Sequence, residues 1–551
     1  MTKDYPDSKL NSDQQDNGSS LNEAMSLDQV IDQALMEAQE ALADPYRLQH
    51  SISRVAVIGA GPAGLATAKS LLEQGFDVHV VERNTRVGGN WAYSAVPHTD
   101  FKIPATNDDL NWLKSIEKTP SFVHSTQPVK CTEDVKQWLL NHHQPATACY
   151  EDLYNNTATP VLGSFDFPWP KDTPYFVPHH TVQKYYQDYS THFGLDKVIR
   201  FNISLDHMVK KGNEWELSFT ETTKLDDGEN LSIKRYQDTF DAVVLATGQF
   251  QIPSVPAYDG LQEYHTQFPG KIIHSKQFRK TSDFKNKKVL VIGGRVSAVD
   301  VSRLVSIEAS QVYISYNGPF ITNIPILNLV RSMIPDNVVH KPLIESFWSK
   351  DPDTGKKILD GKITFTDGST LDDIDIVIFA TGYKVNHPYL GSLRTLTEDD
   401  ANDSDLPLVV MSNKGVQNTY KDIFLITDPT LAFAGAPRHI ITTPFFDYQA
   451  KAITRVWSEQ AYLPSQVKMK QFARDRKPVC NPLQMDYVSE QLRPQFLLPW
   501  LNLHAETLAP DLPRLQGPSE SLQSVWKTAL EFWPKFVAEQ QEKWALERNG
   551  A

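Results

Sequence analysis

The run Gly59-Ala60-Gly61-Pro62-Ala63-Gly64 directly follows the β-branched stretch RVAVI, and Glu82 ends the next apolar run, VHVV. Residues of these types at this spacing can hold a dinucleotide. Gly59 would make the tight strand-to-helix turn. Gly61 would leave the backbone bare where a diphosphate approaches, and Gly64 would let the helix lie close to the sheet. Pro62 sits where the first helical turn tolerates a missing N–H, and Ala63 continues that turn. The helix N-terminus offers N–H groups and a partial positive charge to the diphosphate. Glu82 stands where an acid accepts hydrogen bonds from ribose hydroxyls, and its charge repels a 2′-phosphate. The ligand expected here is therefore FAD or NAD, not NADP.

A second strand–glycine signal is VLVIGGRVSAVD, with Gly293, Gly294, Arg295, Ser297 and Ala298 in the turn. Ala298 occupies the third glycine position, which tolerates alanine. Arg295 occupies the second, where bulk is normally disfavoured. Tyr316 lies as far beyond Gly293 as Glu82 lies beyond Gly59. No acid stands there to repel a 2′-phosphate, so NADPH is the expected ligand, with NADH as the alternative. Arg295 can fork onto phosphate oxygens of the diphosphate or the 2′-phosphate. The alternative is that it faces solvent and pairs with a surface carboxylate.

The elements that must position these loops are short buried strands of the parallel type. Two further runs, DAVVLATG (241–248) and DIVIFATG (375–382), end in Ala-Thr-Gly. At 551 residues the chain has room for several domains. Hydrophobic residues are 40% and aromatics 10%, enough for a folded core. Lys+Arg is 54 against Asp+Glu 67, a net charge of −13, which argues against nucleic-acid binding. Cys131, Cys149 and Cys480 form neither a disulfide framework nor a zinc pattern. No transmembrane segment, signal peptide or lipidation motif is evident, so a cytoplasmic location is expected. Residues 1–20 read as a disordered tail. Residues 21–44 read as a surface helix or an arm that docks a partner, with helical spacing at Leu21, Met25, Val30, Ala34, Leu35 and Ala38.

Several motifs resemble those of the flavin-containing monooxygenases. Glu82-Arg83 followed by Gly88-Gly89-Asn90-Trp91 resembles their flavin-binding fingerprint. Phe268, Gly270, His274 and Phe278 fit the family motif F-x-G-x-x-x-H-x-x-x-[FY]. The Baeyer–Villiger monooxygenases instead end that motif in Trp and then Pro or Asp. YEDLYNNTATPVL resembles a family segment that places Asn156 at the active-site asparagine, although Asn155 and Ala158 replace the usual Thr and Pro. YKDIFLITDPTLAFAGAP and TPFFDYQAKA resemble the carboxyl-terminal segment that returns to cover the flavin, with Gln449 among its contacts. The family often places an arginine where this chain has Tyr316-Asn317. The resemblance runs from about residue 54 to 460.

The expected fold is α/β, with two Rossmann-like dinucleotide-binding domains and the FAD domain split by an inserted NAD(P)H domain. The expected boundaries are 1–50 for an N-terminal extension, 51–250 for the first FAD part with an insertion at 92–148, 251–383 for the NAD(P)H domain, and 384–551 for the second FAD part and a helical C-terminal region. The insertion, with Trp112, Phe122 and Trp138, reads as either a substrate wall or a surface covering. The resemblance implies FAD at Gly59, Gly61, Pro62, Ala63, Gly64, Glu82, Arg83, Gly89, Asn90, Trp91 and Gln449, and NADPH at Gly293, Gly294, Arg295, Ser297 and Ala298. It further implies that reduced flavin adds oxygen as a C4a-hydroperoxide, which a soft amine nitrogen or sulfur of a small molecule attacks. Asn156 would hydrogen-bond the nicotinamide ribose or the peroxide, and His274 would couple domains rather than transfer protons. Alternatives are Baeyer–Villiger oxygenation, an uncoupled NAD(P)H oxidase, and an inactive cofactor-binding scaffold. The reading allows a homodimer and needs no metal.

Overall fold

The computed structural model describes residues 25–97, 101–105, 120–322, 324–395, 401, 404, 406–412, 415–436, 442–475 and 492–549. The expected tail at 1–20, Trp112 and Cys480 lie outside them.

Helix α1 (Leu27–Ala43) starts at a capping box in which Ser26 and Gln29 bond each other's backbone N–H. Its outer face, with Leu27 and Met36, is exposed, as expected of a surface helix, and its apolar face docks on the protein itself. Val30, Ala34, Glu37, Ala38 and Ala41 are buried against the protein's own C-terminal part. The acid in that stripe, Glu37, meets the Lys421 ammonium at 2.8 Å and accepts the Tyr420 hydroxyl at 2.8 Å.

The first glycine loop joins β1 (Arg54–Ile58) to α2 (Pro62–Glu73), which leads to β2 (Asp77–Val81). Helix α3 (His179–His192), β3 (Ile199–Arg200) and β4 (Ala242–Leu245) follow. The chain then leaves this sheet for a second one. Its strands are β5 (Ile272–His274), β6 (Lys288–Ile292), β7 (Gln311–Ser315), β8 (Val338–Lys341) and β9 (Ile376–Phe379). Helices α4 (Val296–Val305) and α5 (Pro325–Ser332) lie among them. The strand order is β5-β9-β6-β7-β8, all parallel.

The chain returns to the first sheet through β10 (Thr419–Tyr420), β11 (Phe424–Leu425) and β12 (Leu431–Phe433). The completed order is β10-β11-β12-β4-β1-β2-β3, so one sheet is built from segments on both sides of the other. Its central strands carry β-branched and small residues because both faces are covered: Val55, Ala56, Val57, Val243 and Val244 are at most 1% exposed. Helices α6 (Thr442–Trp457), α7 (Leu498–Leu508) and α8 (Glu520–Asn549) follow, with a further helix, Gln466–Asp475, between the first two.

A further antiparallel sheet joins Ile203–Lys211, Glu214–Lys224 and Asn230–Phe240, with Val129–Lys130 at its edge. Phe122 packs edge-on against Trp138 at 5.8 Å, and Trp138 stacks on His143 at 5.4 Å. These aromatics of the 92–148 insertion cover the sheet, whereas its last part, Ala146–Ala148, lines the central cavity.

Candidate functional site

The two glycine loops are built alike. Gly59 and Gly293 both have positive φ, +108° and +134°. A Cβ on Gly59 would stand 2.6 Å from the Ala246 carbonyl oxygen, and one on Gly293 would stand 2.5 Å from that of Ala380. Those carbonyls belong to the two Ala-Thr-Gly runs, so each run abuts its own glycine turn. Gly61 and Arg295 are the corresponding N-caps of α2 and α4, both with extended backbone.

Gly61 supplies a test of whether a dinucleotide fits. Its φ of −77° suits any residue, and a Cβ there would come no nearer than 3.4 Å, to Gly89 Cα. The fold leaves room for a side chain at the very position that faces the cavity at a helix N-terminus. A bare backbone there suits a closely approaching diphosphate. Gly89 is different: a Cβ on it would meet Gly61 Cα at 2.9 Å, so its bareness lets the two loops touch. Glu82, 5% exposed, accepts the Ala60 N–H and the Asn84 N–H at 2.8 Å each. That fixes its carboxylate at the end of β2, with lone pairs left for ribose hydroxyls. Arg83 donates to the Gln251 side chain at 2.8 Å.

One cavity of about 1350 Å³ runs past both loops. Gly59, Gly61, Pro62, Ala63, Glu82, Arg83, Gly89, Asn90 and Trp91 line one end. Gly293, Gly294, Arg295 and Ser297 line the other, and Asn156 also lines the cavity. Gly64 and Ala298 sit beneath the loops, where helix meets sheet. Gln449 does not reach the cavity, which corrects its expected flavin contact. It is 0% exposed; its oxygen accepts the Gly435 N–H at 2.9 Å and its nitrogen donates to the Ala436 carbonyl at 2.6 Å. Gln449 thus braces the turn that brings Gly435 to the cavity, and Phe446 is the α6 residue that lines it.

The asparagine pair divides its work. Asn155 is 2% exposed; its nitrogen donates to the Thr157 and Tyr175 carbonyls at 2.7 and 2.8 Å, and its oxygen accepts from the Val177 N–H at 2.5 Å. The turn is therefore held by Asn155, and Asn156 is left exposed to the cavity.

His274 is fully buried at the end of β5. Nε2 donates to the Gly382 carbonyl at 3.0 Å, and Nδ1 accepts the Lys276 N–H at 3.1 Å. Burial holds its pKa down at about 3, so it is neutral and ties the motif to the second Ala-Thr-Gly run. Two functional candidates escaped the sequence reading. Lys276 lines the cavity with its ammonium bonded to the Gln251 carbonyl, and burial together with Arg83 and Arg279 lowers its pKa to about 7. Arg331, on α5, takes the place where no arginine was found beside Tyr316. Its guanidinium lies over the Tyr316 ring at 4.4 Å, and its Nε donates to the Gly294 carbonyl at 3.1 Å.

Two nucleotide folds, one on an all-parallel sheet and one on a mainly parallel sheet, one threaded through the other, with both glycine loops opening on one cavity, define a two-dinucleotide flavoprotein. The profile of the flavin-binding monooxygenase-like family matches residues 132–341 and 353–498, and that of an NAD(P)-binding Rossmann-like domain matches residues 57–108. The flavin-containing monooxygenase ustF2 of Aspergillus flavus is 32% identical over 432 residues, covering 76% of this chain and 85% of that protein. The flavin-containing monooxygenase iboF of Amanita muscaria is 30% identical over 444 residues, covering 76% and 82%. In fold, the S-allyl-L-cysteine S-oxygenase of Allium sativum is similar, with a TM-score of 0.59, 21% identity, and coverage of 90% of this chain and 99% of that one. This chain belongs to the flavin-binding monooxygenase-like family. It is an FAD- and NADPH-dependent monooxygenase acting on a small molecule with molecular oxygen. Among the described residues no helix is long and apolar enough to cross a membrane.

Proposed function

We propose that the chain oxygenates a nucleophilic nitrogen or sulfur atom of a small molecule. The observation that carries this reading is the single cavity lined by Gly61 and Trp91, by Asn156 and by Gly293. Bound FAD, reduced by NADPH, supplies the activation of molecular oxygen. The protein's part is to hold, orient and exclude water. The N-termini of α2 and α4 receive the two diphosphates, and Glu82 receives the adenosine ribose at the first loop. The Asn156 amide faces the reacting centre with both donor and acceptor, since Asn155 carries the turn. Phe278 and Arg279, in place of the Trp and Pro or Asp of the Baeyer–Villiger motif, favour attack by nitrogen or sulfur over ketone oxygenation.

Product analysis tests it. The purified enzyme, NADPH and oxygen are supplied in turn with a thioether, a tertiary amine and a cyclic ketone. Sulfoxide or N-oxide formed at about one per NADPH consumed is expected. A lactone as the main product, or hydrogen peroxide alone, would overturn the reading.

A further inference from the structure

Helix α8 begins beyond residue 498, where the family match ends. Both dinucleotide loops are complete without it, so cofactor binding does not account for it. Yet it turns one face into the cleft. Trp526, Leu530, Trp533, Phe536, Gln540 and Trp544 all line the cavity, at steps of three and four residues that share one side of a helix. Its charges lie elsewhere: Lys535 pairs with Glu539 and Lys543 with Glu547, all exposed.

This face is seated on both halves of the molecule. Phe536 lies 5.4 Å from the ring of Tyr154 and 5.0 Å from that of Phe176. Tyr154 stands two residues before Asn156. Trp526 and Trp533 pack with Val299 of α4 and Val330 of α5. The helix therefore walls the cavity from the Asn156 segment to the second dinucleotide domain.

The electrostatics of the cavity narrow what can lie against that wall. Its described lining contains two carboxylates, Glu82 and Asp300. Glu82 is held in the first loop by two backbone N–H groups, and Asp300 accepts from Tyr150 and Arg303. The other charged lining groups are cationic, among them Arg83, Arg303 and Arg331. The carboxylate nearest the wall, Asp300, is already held by Arg303, whose guanidinium lies 5.6 Å from the Trp544 ring, so an ammonium substrate would find no uncommitted carboxylate there. An uncharged sulfur suits it, since thioethers sit favourably against ring edges, and an aromatic substituent would pack on the Trp and Phe side chains.

We propose that α8 is the substrate wall of the cleft and selects uncharged organic sulfides that carry an aromatic or bulky apolar group. This rests on the oxygenase reading above and narrows it. The sulfur lone pair takes one atom of O2 to form the sulfoxide. The other atom leaves as water, with two electrons and a proton from NADPH and one proton from solvent.

Calorimetric binding to the oxidised holoenzyme tests the wall separately from turnover. At pH 7, benzyl methyl sulfide is expected to bind at least about 10-fold tighter than dimethyl sulfide or protonated N,N-dimethylbenzylamine. Phe536→Ala should weaken the benzyl sulfide about 10-fold and leave dimethyl sulfide unchanged. Gln540→Glu, nearly isosteric, should weaken the sulfide and strengthen the amine. Equal affinity of the three ligands for the unaltered enzyme overturns the proposal, as does a Phe536→Ala enzyme that loses all three alike. Where Phe536→Ala sheds FAD or unfolds, Gln540→Glu decides, and an unmoved preference overturns the wall. Tight benzyl sulfide binding without sulfoxide formation supports the wall and overturns the oxygenase reading. Sulfoxide from dimethyl sulfide with no preference in binding does the reverse.

Discussion

The Arg331 guanidinium stacks on the Tyr316 ring at 4.4 Å and is pinned there by the carbonyls of Gly294, Pro319 and Phe320. Arg295 lies near enough that its charge, after burial, helps to lower the Arg331 pKa. Among the described residues no carboxylate forms an ion pair with either arginine. Two neighbouring cations at the end of β7, where the first loop has Glu82 at the end of β2, suit an anionic group on the second ligand's ribose. Arg331 is committed to its carbonyls, and Arg295 is exposed at the helix N-terminus.

Replacement of Arg295 by serine separates the two phosphate targets. A charge-assisted hydrogen bond is worth roughly 1.5–3 kcal/mol, or about 10- to 150-fold in affinity. If Arg295 serves the 2′-phosphate, the KM for NADPH rises by that factor while NADH is unaffected. If it serves the diphosphate, both rise together. The Arg331–Tyr316 pair favours the first outcome. Unchanged KM for both coenzymes would remove Arg295 from the site.

Both glycine loops were legible because their chemistry is short-range: one strand, one turn and one helix fix the diphosphate position. Arg331 was not legible, because it comes from α5 and only the fold brings it to Tyr316. The same holds for Glu37 and Lys421, which are 384 residues apart. A glutamate in an amphipathic stripe gives no local sign of a buried partner, so nothing in α1 pointed to Lys421. Gln449 was misassigned because a buried glutamine that braces a turn is identical in sequence to one that touches a ligand. The antiparallel sheet did leave a signal, the alternation of Trp215, Leu217 and Phe219, all buried.

Asn155 and Asn156 should respond oppositely to alanine. Asn155→Ala removes three buried hydrogen bonds, at about 1 kcal/mol each. It should lower the melting temperature and shed FAD. Asn156→Ala should leave the melting temperature unchanged and lower turnover by about 10²-fold, the scale for losing one preorganised donor. Thermal scans beside product yield per NADPH make the comparison. An Asn156→Ala enzyme with full yield would leave that residue without a role at the reacting centre.

Gly61→Ala separates the needs of the ligand from those of the fold. The backbone there accepts a Cβ, so the apo-protein should keep its stability within about 0.5 kcal/mol. The diphosphate should not accept it, and FAD content on purification should fall. The stabilisation that FAD gives by binding only the native state, about 2.7 kcal/mol at a hundredfold excess over Kd, should shrink with it. Stoichiometric FAD in the variant would show that the close approach at this loop is wrong.

Four histidines with deep burial shifts make stability depend on pH in a window set by that burial, and His179, also lowered chiefly by burial, acts in the same direction. His143, His387 and His504 are held down at about 4 and His274 at about 3, in each case chiefly by desolvation. In the unfolded chain they titrate near 6.5. Between about pH 6 and 4.5 the unfolded state therefore binds four protons that the native state does not, and stability falls as pH falls. Asp447 opposes this with one proton, because burial pushes its pKa up to about 6 and the native state takes that proton first. The net is about three protons, or roughly 4 kcal/mol per pH unit at about 1.4 kcal/mol each. His504 is the residue to vary, because its Nδ1 accepts from the Tyr462 N–H at 2.9 Å and its Nε2 donates to the Ala38 carbonyl at 2.8 Å, away from the cavity. His504→Asn should lower stability at pH 7.5 and reduce the acid slope by about one proton. Denaturant unfolding at half-unit pH steps reads both quantities. A variant with the same slope as the unaltered protein would mean that His504 is already charged in the native state, against the burial argument.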